Sequence, residues 1–251
     1  MRLAALYRYP VKGLSPEPLP GADLVVDGYF PCDRMFALEN GPSGFDAAAP
    51  AHQPKIKFLM LMRNASLAAL RTRYDDETGV LSIVREGREV ARGDLATPEG
   101  RGVIERFFTE FAGDALRGPA RLLRAPDGFR FTDSKSGFVS LLNLASVAAV
   151  ASAQGGAVDP LRFRANLHIE GLPAWGEGSL LGRTLAIGEA RLEVTKMIDR
   201  CAATEVDPQT GARDMDLVQT LRKNFGHIDC GIYARVARGG WVQLGDAISV
   251  A

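Results

Sequence analysis

The chemically densest segment of the chain is Asp199-Arg200-Cys201-Ala202-Ala203-Thr204-Glu205, which leads into the polar run Asp207-Pro208-Gln209-Thr210-Gly211. A cysteine that directly follows a strand is placed to face a cleft. An adjacent guanidinium favours the thiolate that binds a soft metal or attacks an electrophile. The competing reading is packing, since free cysteine behaves as a small buried hydrophobe. The residue types of 207–211 suit a tight reversal, so Asp207 reads as a turn residue. A second group is Arg162-Phe163-Arg164-Ala165-Asn166, within a strand predicted from Arg162 to Ile169. Period-two geometry puts both arginines and Asn166 on one face. Facing water, that face is merely solvated; facing a cleft, it is a fork-shaped clamp for an anion and a heterocycle. Three smaller groups add to these. Lys12 stands beside Gly13 after Tyr9-Pro10-Val11, Asp33-Arg34 precedes Met35-Phe36, and Ser134-Lys135-Ser136-Gly137 forms a small polar loop. Such a loop binds phosphate through hydroxyls and amides, or simply turns. Asp33-Arg34 also reads as an ordinary surface ion pair. Cys32 and Cys230 have no partner pattern and read as structural.

The elements that must position these groups are mostly short strands. Apolar alternation predicts them near Leu3–Tyr7, Asp23–Asp27, Met35–Glu39 and Lys57–Met62. Leu67–Tyr74 and Val80–Val84 form a hairpin around Asp75–Gly79. A helix follows Thr97-Pro98-Glu99, with Thr97 as its cap, Phe107, Phe108 and Phe111 on one face, and Gly113 at its end. Beyond it, helices are predicted at Leu144–Ala153 and Asp216–Lys223, strands at Arg183–Ile187 and Arg191–Met197, and a closing meander from Ile232 to Val250. Arg117-Gly118-Pro119 marks the expected boundary between units 1–117 and 118–251. The fold expected is mainly β with a few helices, of β-barrel type, in which the sheets close their own edges.

Composition narrows the classes. The 251 residues are 46% hydrophobic and 24% charged, which excludes a disordered or collagen-like chain. No apolar run reaches the ~18 residues of a membrane span, and Tyr7-Arg8-Tyr9-Pro10 interrupts the N-terminus too early for a secretory segment. Thirty basic and thirty acidic residues cancel, which argues against broad nucleic-acid binding. Three cysteines make neither a disulfide framework nor a four-thiolate cluster, and His52, His168 and His227 have no metal-site spacing. The expectation is a cytoplasmic protein with no nucleic-acid and no membrane partner. One soft thiolate and four cationic or polar clusters remain, the set that a large anionic cofactor between two units would need.

In chain order, Tyr9-Pro10-Val11-Lys12, Asp33-Arg34-Met35-Phe36, Arg162–Asn166, Arg200–Gly211 and Gly245-Asp246-Ala247-Ile248 resemble the MOSC family, the molybdenum-cofactor sulfurase C-terminal domain, preceded by its N-terminal β-barrel. The pattern is most similar to stand-alone members of the mitochondrial amidoxime reducing component type and their bacterial relatives. Departures are Gly13 where relatives often have serine, Asp199 at a position of small hydroxyl residues, and Ala165 at a frequent proline. Ala51–Pro54 follows the family's arginine-containing loop only loosely.

The resemblance implies an N-terminal MOSC β-barrel packed on a C-terminal MOSC β-barrel, with a molybdenum-molybdopterin cofactor (Moco) between them. Cys201 would be the catalytic residue and the protein ligand to molybdenum. Lys12, Arg34 and Arg164 would hold phosphate and pterin, Asn166 and the Ser134/Ser136 loop would add hydrogen bonds, and Arg200 and Thr204 would complete the set. An N-hydroxylated small-molecule substrate would lose its oxygen as water. Because Ala251 directly follows the last predicted strand, the electrons are expected from a separate ferredoxin, flavodoxin or cytochrome-b5-like protein. Two other readings stay open: a cofactor or sulfur carrier that uses Cys201 without reductase turnover, and a β-barrel binding module that has lost the metal.

Overall fold

Strand β1 (Arg2–Arg8) buries Leu3 and Leu6, the positions its alternation marks as inward. The structure is a computed structural model that describes residues 1–135 and 138–251. It places β1 between β10 (Leu167–Glu170) and β2 (Glu17–Leu19). Beyond β10 the same sheet continues through β9 (Val139–Asn143), β13 (Asp229–Arg238), β12 (Ala190–Asp199), β11 (Thr184–Ile187) and β15 (Ile248–Val250). Every pairing is antiparallel except β9–β10. That parallel pair needs a crossover, and α2 (Leu144–Gln154) supplies it. Asn143 caps α2, and Gly155 ends it in the left-handed conformation. α3 (Leu217–Phe225), capped by Asp216, packs beside α2.

The sheet curls until the β15 segment reaches the start of β1. Arg2 bridges Ala247, Leu3 N–H donates to Asp246 O, and Ile248 N–H donates to Met1 O. This contact covers the free edge of β15 and encloses a core that includes Leu3, Leu141, Ile169, Leu192 and Ile232.

A second core is built on β4 (Phe36–Leu38), paired with β8 (Leu122–Arg124), and on the meander β5 (Arg71–Tyr74), β6 (Val80–Arg85) and β7 (Arg88–Asp94). α1 (Pro98–Ala112) lies on β7 and buries Ile104 and Phe108. Thr97 Oγ1 accepts from Gly100 N–H at 3.0 Å, and Gly113 closes the helix. β3 (Gly21–Leu24) pairs with β14 (Gly240–Gln243).

The mainly β, barrel-type architecture and, among the described residues, the three α-helices match the expectation from sequence. β1 and β2 lie in the sheet with the later strands, and β8 pairs with β4. Several elements differ from expectation, among them Leu67–Tyr74, where a 3-10 turn, Ala65–Ala69, precedes the strand Arg71–Tyr74. Lys57–Met62 is not a strand: Phe58 makes one isolated bridge to Glu39, and the chain then turns, with Met60 O accepting from Arg63 and Asn64 N–H. Its apolar run fills the second core and borders the cleft described below. The tail is not a meander, because β14 leaves for β3 while β15 pairs with β11.

Candidate functional site

A cleft of about 470 Å³ is lined by Lys12, Arg34, Ser134, Arg164, Asn166, Arg200, Cys201 and Thr204. These residues come from segments up to 192 positions apart, from Lys12 to Thr204. Ser136 lies outside the described residues.

Cys201 follows β12 directly and is half-buried, with an extended backbone that caps the short turn Ala202–Glu205. Thr204 holds that turn, its Oγ1 donating to Cys201 O at 3.0 Å. Arg200 is buried beneath it. Its Nε donates to Cys230 O and its Nη1 to Phe163 O, each at 2.7 Å, and the guanidinium lies over the Phe163 ring. Asn166 is likewise committed to the scaffold. Its Oδ1 accepts from Ser140 N–H at 3.1 Å and from Ser140 Oγ at 2.7 Å, while Nδ2 donates to Tyr7 O at 3.2 Å. Arg200, Thr204 and Asn166 therefore fix the walls on which the thiol is mounted.

The cations gather around Tyr9. Arg34 and Arg164 carry their guanidinium carbons 4.5 Å and 4.3 Å from the centroid of its buried ring. Both adopt left-handed backbone, with φ of 46° and 53°. Each such non-glycine residue costs on the order of 1 kcal/mol and survives only where its surroundings over-determine it. Arg34 pairs with Asp33 and donates to Arg164 O at 2.9 Å. Arg164 Nη1 donates to Leu14 O at 2.7 Å, but its Nη2 is buried without a partner among the described residues. Burial, and then the nearby Arg34 charge, pull Arg164 down to about 10. Lys12 is buried too, donating to Phe131 O at 2.9 Å and pairing with Asp133. Partial desolvation works against the half-exposed Asp133 carboxylate, yet Lys12 and then Lys55 outweigh it and hold its pKa at about 2.

Asp133 and Lys55 were not singled out by the sequence reading. Lys55 lies 3.7 Å from Asp133 and lines the same cleft as Cys201. His52, on the same loop, has Nε2 3.3 Å from Asp133 O. The only local hint is position: Asp133 precedes Ser134, and Lys55 follows Pro54. Tyr9, Lys196 and Tyr233 also border the cations or the cleft.

One placement is corrected. Arg162 and Arg164 do not share a strand face, because Asp159 caps a 3-10 turn, Pro160–Phe163, and the strand begins only at Leu167. Asp followed by Pro is a helical start signal that overrides the alternation. Arg162 sends its guanidinium to Glu205 O at 3.1 Å, Asp207 at 3.2 Å and Asp214 at 2.8 Å. Asp207 is a turn residue, with Oδ1 accepting from Gln209 and Thr210 N–H. Burial pushes the Cys230 thiol up to about 12, in keeping with a structural cysteine. Among the described residues, no three His, Cys, Asp or Glu side chains gather into a metal-holding group, and no helix is long and apolar enough to cross a membrane.

Residues 129–249 match the MOSC domain, and residues 1–114 match the MOSC N-terminal beta barrel domain. A molybdenum cofactor sulfurase of Caenorhabditis briggsae is 34% identical over 128 residues, covering 46% of this chain and 18% of that protein. The Caenorhabditis elegans molybdenum cofactor sulfurase is 35% identical over 124 residues, covering 46% and 16%. The match thus spans less than a fifth of either curated relative. Among solved structures, the YuaD protein from Bacillus subtilis shares 15% identity, covers 99% of this chain and 94% of that one, and gives a TM-score of 0.49.

Proposed function

The chain belongs to the MOSC family, and from that premise we propose that its cleft binds a molybdenum-molybdopterin cofactor and that the protein is an oxidoreductase acting through it. The observation that carries this reading is the pairing of a half-buried thiol, Cys201, with a half-buried Arg164 whose buried Nη2 has no partner among the described residues. An unmatched Nη2 on a cation beside Lys12 and Arg34 is costly, and an anionic ligand offsets that cost.

The residues fit such a ligand. A phosphate meets Lys12, Arg34 and Arg164, and a flat heterocycle meets guanidinium planes already stacked on Tyr9. Because the described residues offer no cluster of protein ligands, a metal at Cys201 must receive its other donors from the cofactor, as a dithiolene provides. When bound, the cofactor supplies the two-electron chemistry that removes oxygen from an N-hydroxylated substrate. The protein's part is to present the Cys201 thiolate, keep its turn rigid through Thr204 and Arg200, and hold the anionic end of the cofactor. Ser134 adds to the phosphate side. Electrons come from a separate ferredoxin, flavodoxin or cytochrome-b5-like protein in the cytoplasm.

The name of the curated relatives favours one second reading, a carrier in which Cys201 holds transferable sulfur or cofactor without reductase turnover. Supplying a reduced one-electron dye with an amidoxime or hydroxylamine separates the two. Turnover by the loaded protein supports the oxidoreductase. Absence of turnover, with a persulfide found on Cys201, establishes the carrier instead.

A further inference from the structure

We propose that Asp133 is an internal counter-ion that occupies the anion position beside Lys12 and is displaced when a ligand phosphate enters, so that this carboxylate sets how tightly the cleft takes a phosphate group. The inference rests on reading the cleft as an anionic-ligand site and assigns a residue that acts against that ligand.

The two partners of this ion pair are unequally buried. The Lys12 side chain is only 9% exposed, whereas that of Asp133 is 48% exposed. The ammonium is fixed further by Phe131 O at 2.9 Å. Lys12 therefore cannot leave, while Asp133 can rotate toward water without burying an unpaired charge. Asp133 also has a second cation, Lys55, at the rim, 3.7 Å away. Released from Lys12, the carboxylate keeps that partner.

Asp33, the other carboxylate in contact with these cations, has no such freedom. Its side chain is 5% exposed, and its Oδ1 accepts from Tyr9 N–H at 2.8 Å. Of the two carboxylates touching the Lys12–Arg34–Arg164 group, Asp133 is the exchangeable one. A phosphate offers that group more negative charge and more acceptor oxygens than a carboxylate, and it can also reach Arg164 Nη2. Its net gain is reduced by whatever Asp133 already supplies.

The test is a calorimetric titration of the full chain with inorganic phosphate at low ionic strength, where such pairs are least screened. Asp133→Asn should bind phosphate about tenfold more tightly than the wild type, the equivalent of about 1.4 kcal/mol. Asp199→Asn removes another acidic side chain of the cleft, one that makes no pair with Lys12. Its affinity should stay within about twofold. Adding Lys12→Met to Asp133→Asn should abolish the gain.

A readout on the wild type needs no folded variant: the Asp133 carboxyl carbon resonance should shift as phosphate saturates. Equal phosphate affinity in Asp133→Asn and wild type, an equal gain in Asp199→Asn, no measurable phosphate binding, or an unmoved Asp133 resonance each overturns the proposal. No molybdenum is needed, so the cofactor reading is judged separately by metal content.

Discussion

At the scale of single residues, Arg164 carries the clearest local cost. It combines left-handed backbone, burial, a neighbouring cation and an unmatched Nη2. Arg164→Ala should therefore leave the unfolding free energy within about 1 kcal/mol of wild type, since lost hydrogen bonding is offset by relief of an unmatched charged donor. Its molybdenum retention through gel filtration should fall at least about tenfold. Unchanged retention would remove this arginine from the site. His168 is a separate case, buried with Nε2 unpartnered among the described residues. Burial, and then Arg200, depress its pKa to about 4. The unfolded chain binds this proton below about pH 6.5, while the folded protein resists until about pH 4. Stability should thus decline as pH falls across that window, by up to about 3 kcal/mol. Denaturant titrations at several pH values should show the decline, and His168→Gln should flatten it. An equal slope in the variant would assign the effect elsewhere. Cys201 and the cations were legible because their residue types suggest chemistry on their own. Lys55 and Asp133 were not, since they meet only after two loops fold over one another. Arg162 was misplaced because alternation outweighed the Asp159-Pro160 cap.

Elements show the same division between local and tertiary information. Both ends of α1 could be read from Thr97, Pro98 and Gly113, and Thr97 does cap the helix. Thr97→Ala should cost about 1 kcal/mol in chemical denaturation. What the sequence did not reveal is how closely α1 meets β7. A Cβ on Gly100 would lie 2.1 Å from Asp94 O, and one on Gly93 would lie 2.2 Å from Gly100 O. Gly100→Ala must move backbone, and it should destabilise by about 1–3 kcal/mol despite alanine's better helix propensity. A variant as stable as wild type would show that the contact yields freely. The run Lys57–Met62 and strand β14 were misread for a related reason. Short apolar runs declare burial but not their partner, and tertiary packing assigned one to a core and the other to β3.

At the scale of the whole molecule, the barrel-type fold was legible because many short strands with polar turns favour closed sheets, but the pairing of distant segments was not. β1 and β2 enter the sheet of the later strands, and Leu3 and Leu6 belong to its core. Arg213 donates to Leu61 O at 3.0 Å and Met62 O at 2.6 Å, and Arg71 to Pro208 O at 3.0 Å, tying early and late segments together beside the cleft. A fragment of residues 118–251 lacks these strands and should fail to give a cooperative thermal transition. Co-expression with residues 1–117 should restore one. A fragment that melts cooperatively alone would refute this dependence. Metal binding by this assembly would turn on the thiol it presents. Metal analysis of protein purified anaerobically from a cofactor-producing host should find about one molybdenum per chain in the wild type, and almost none in Cys201→Ser with its fold intact. Metal-free wild type, or a Cys201→Ser protein that keeps its full molybdenum, would contradict the claim that Cys201 is the ligand.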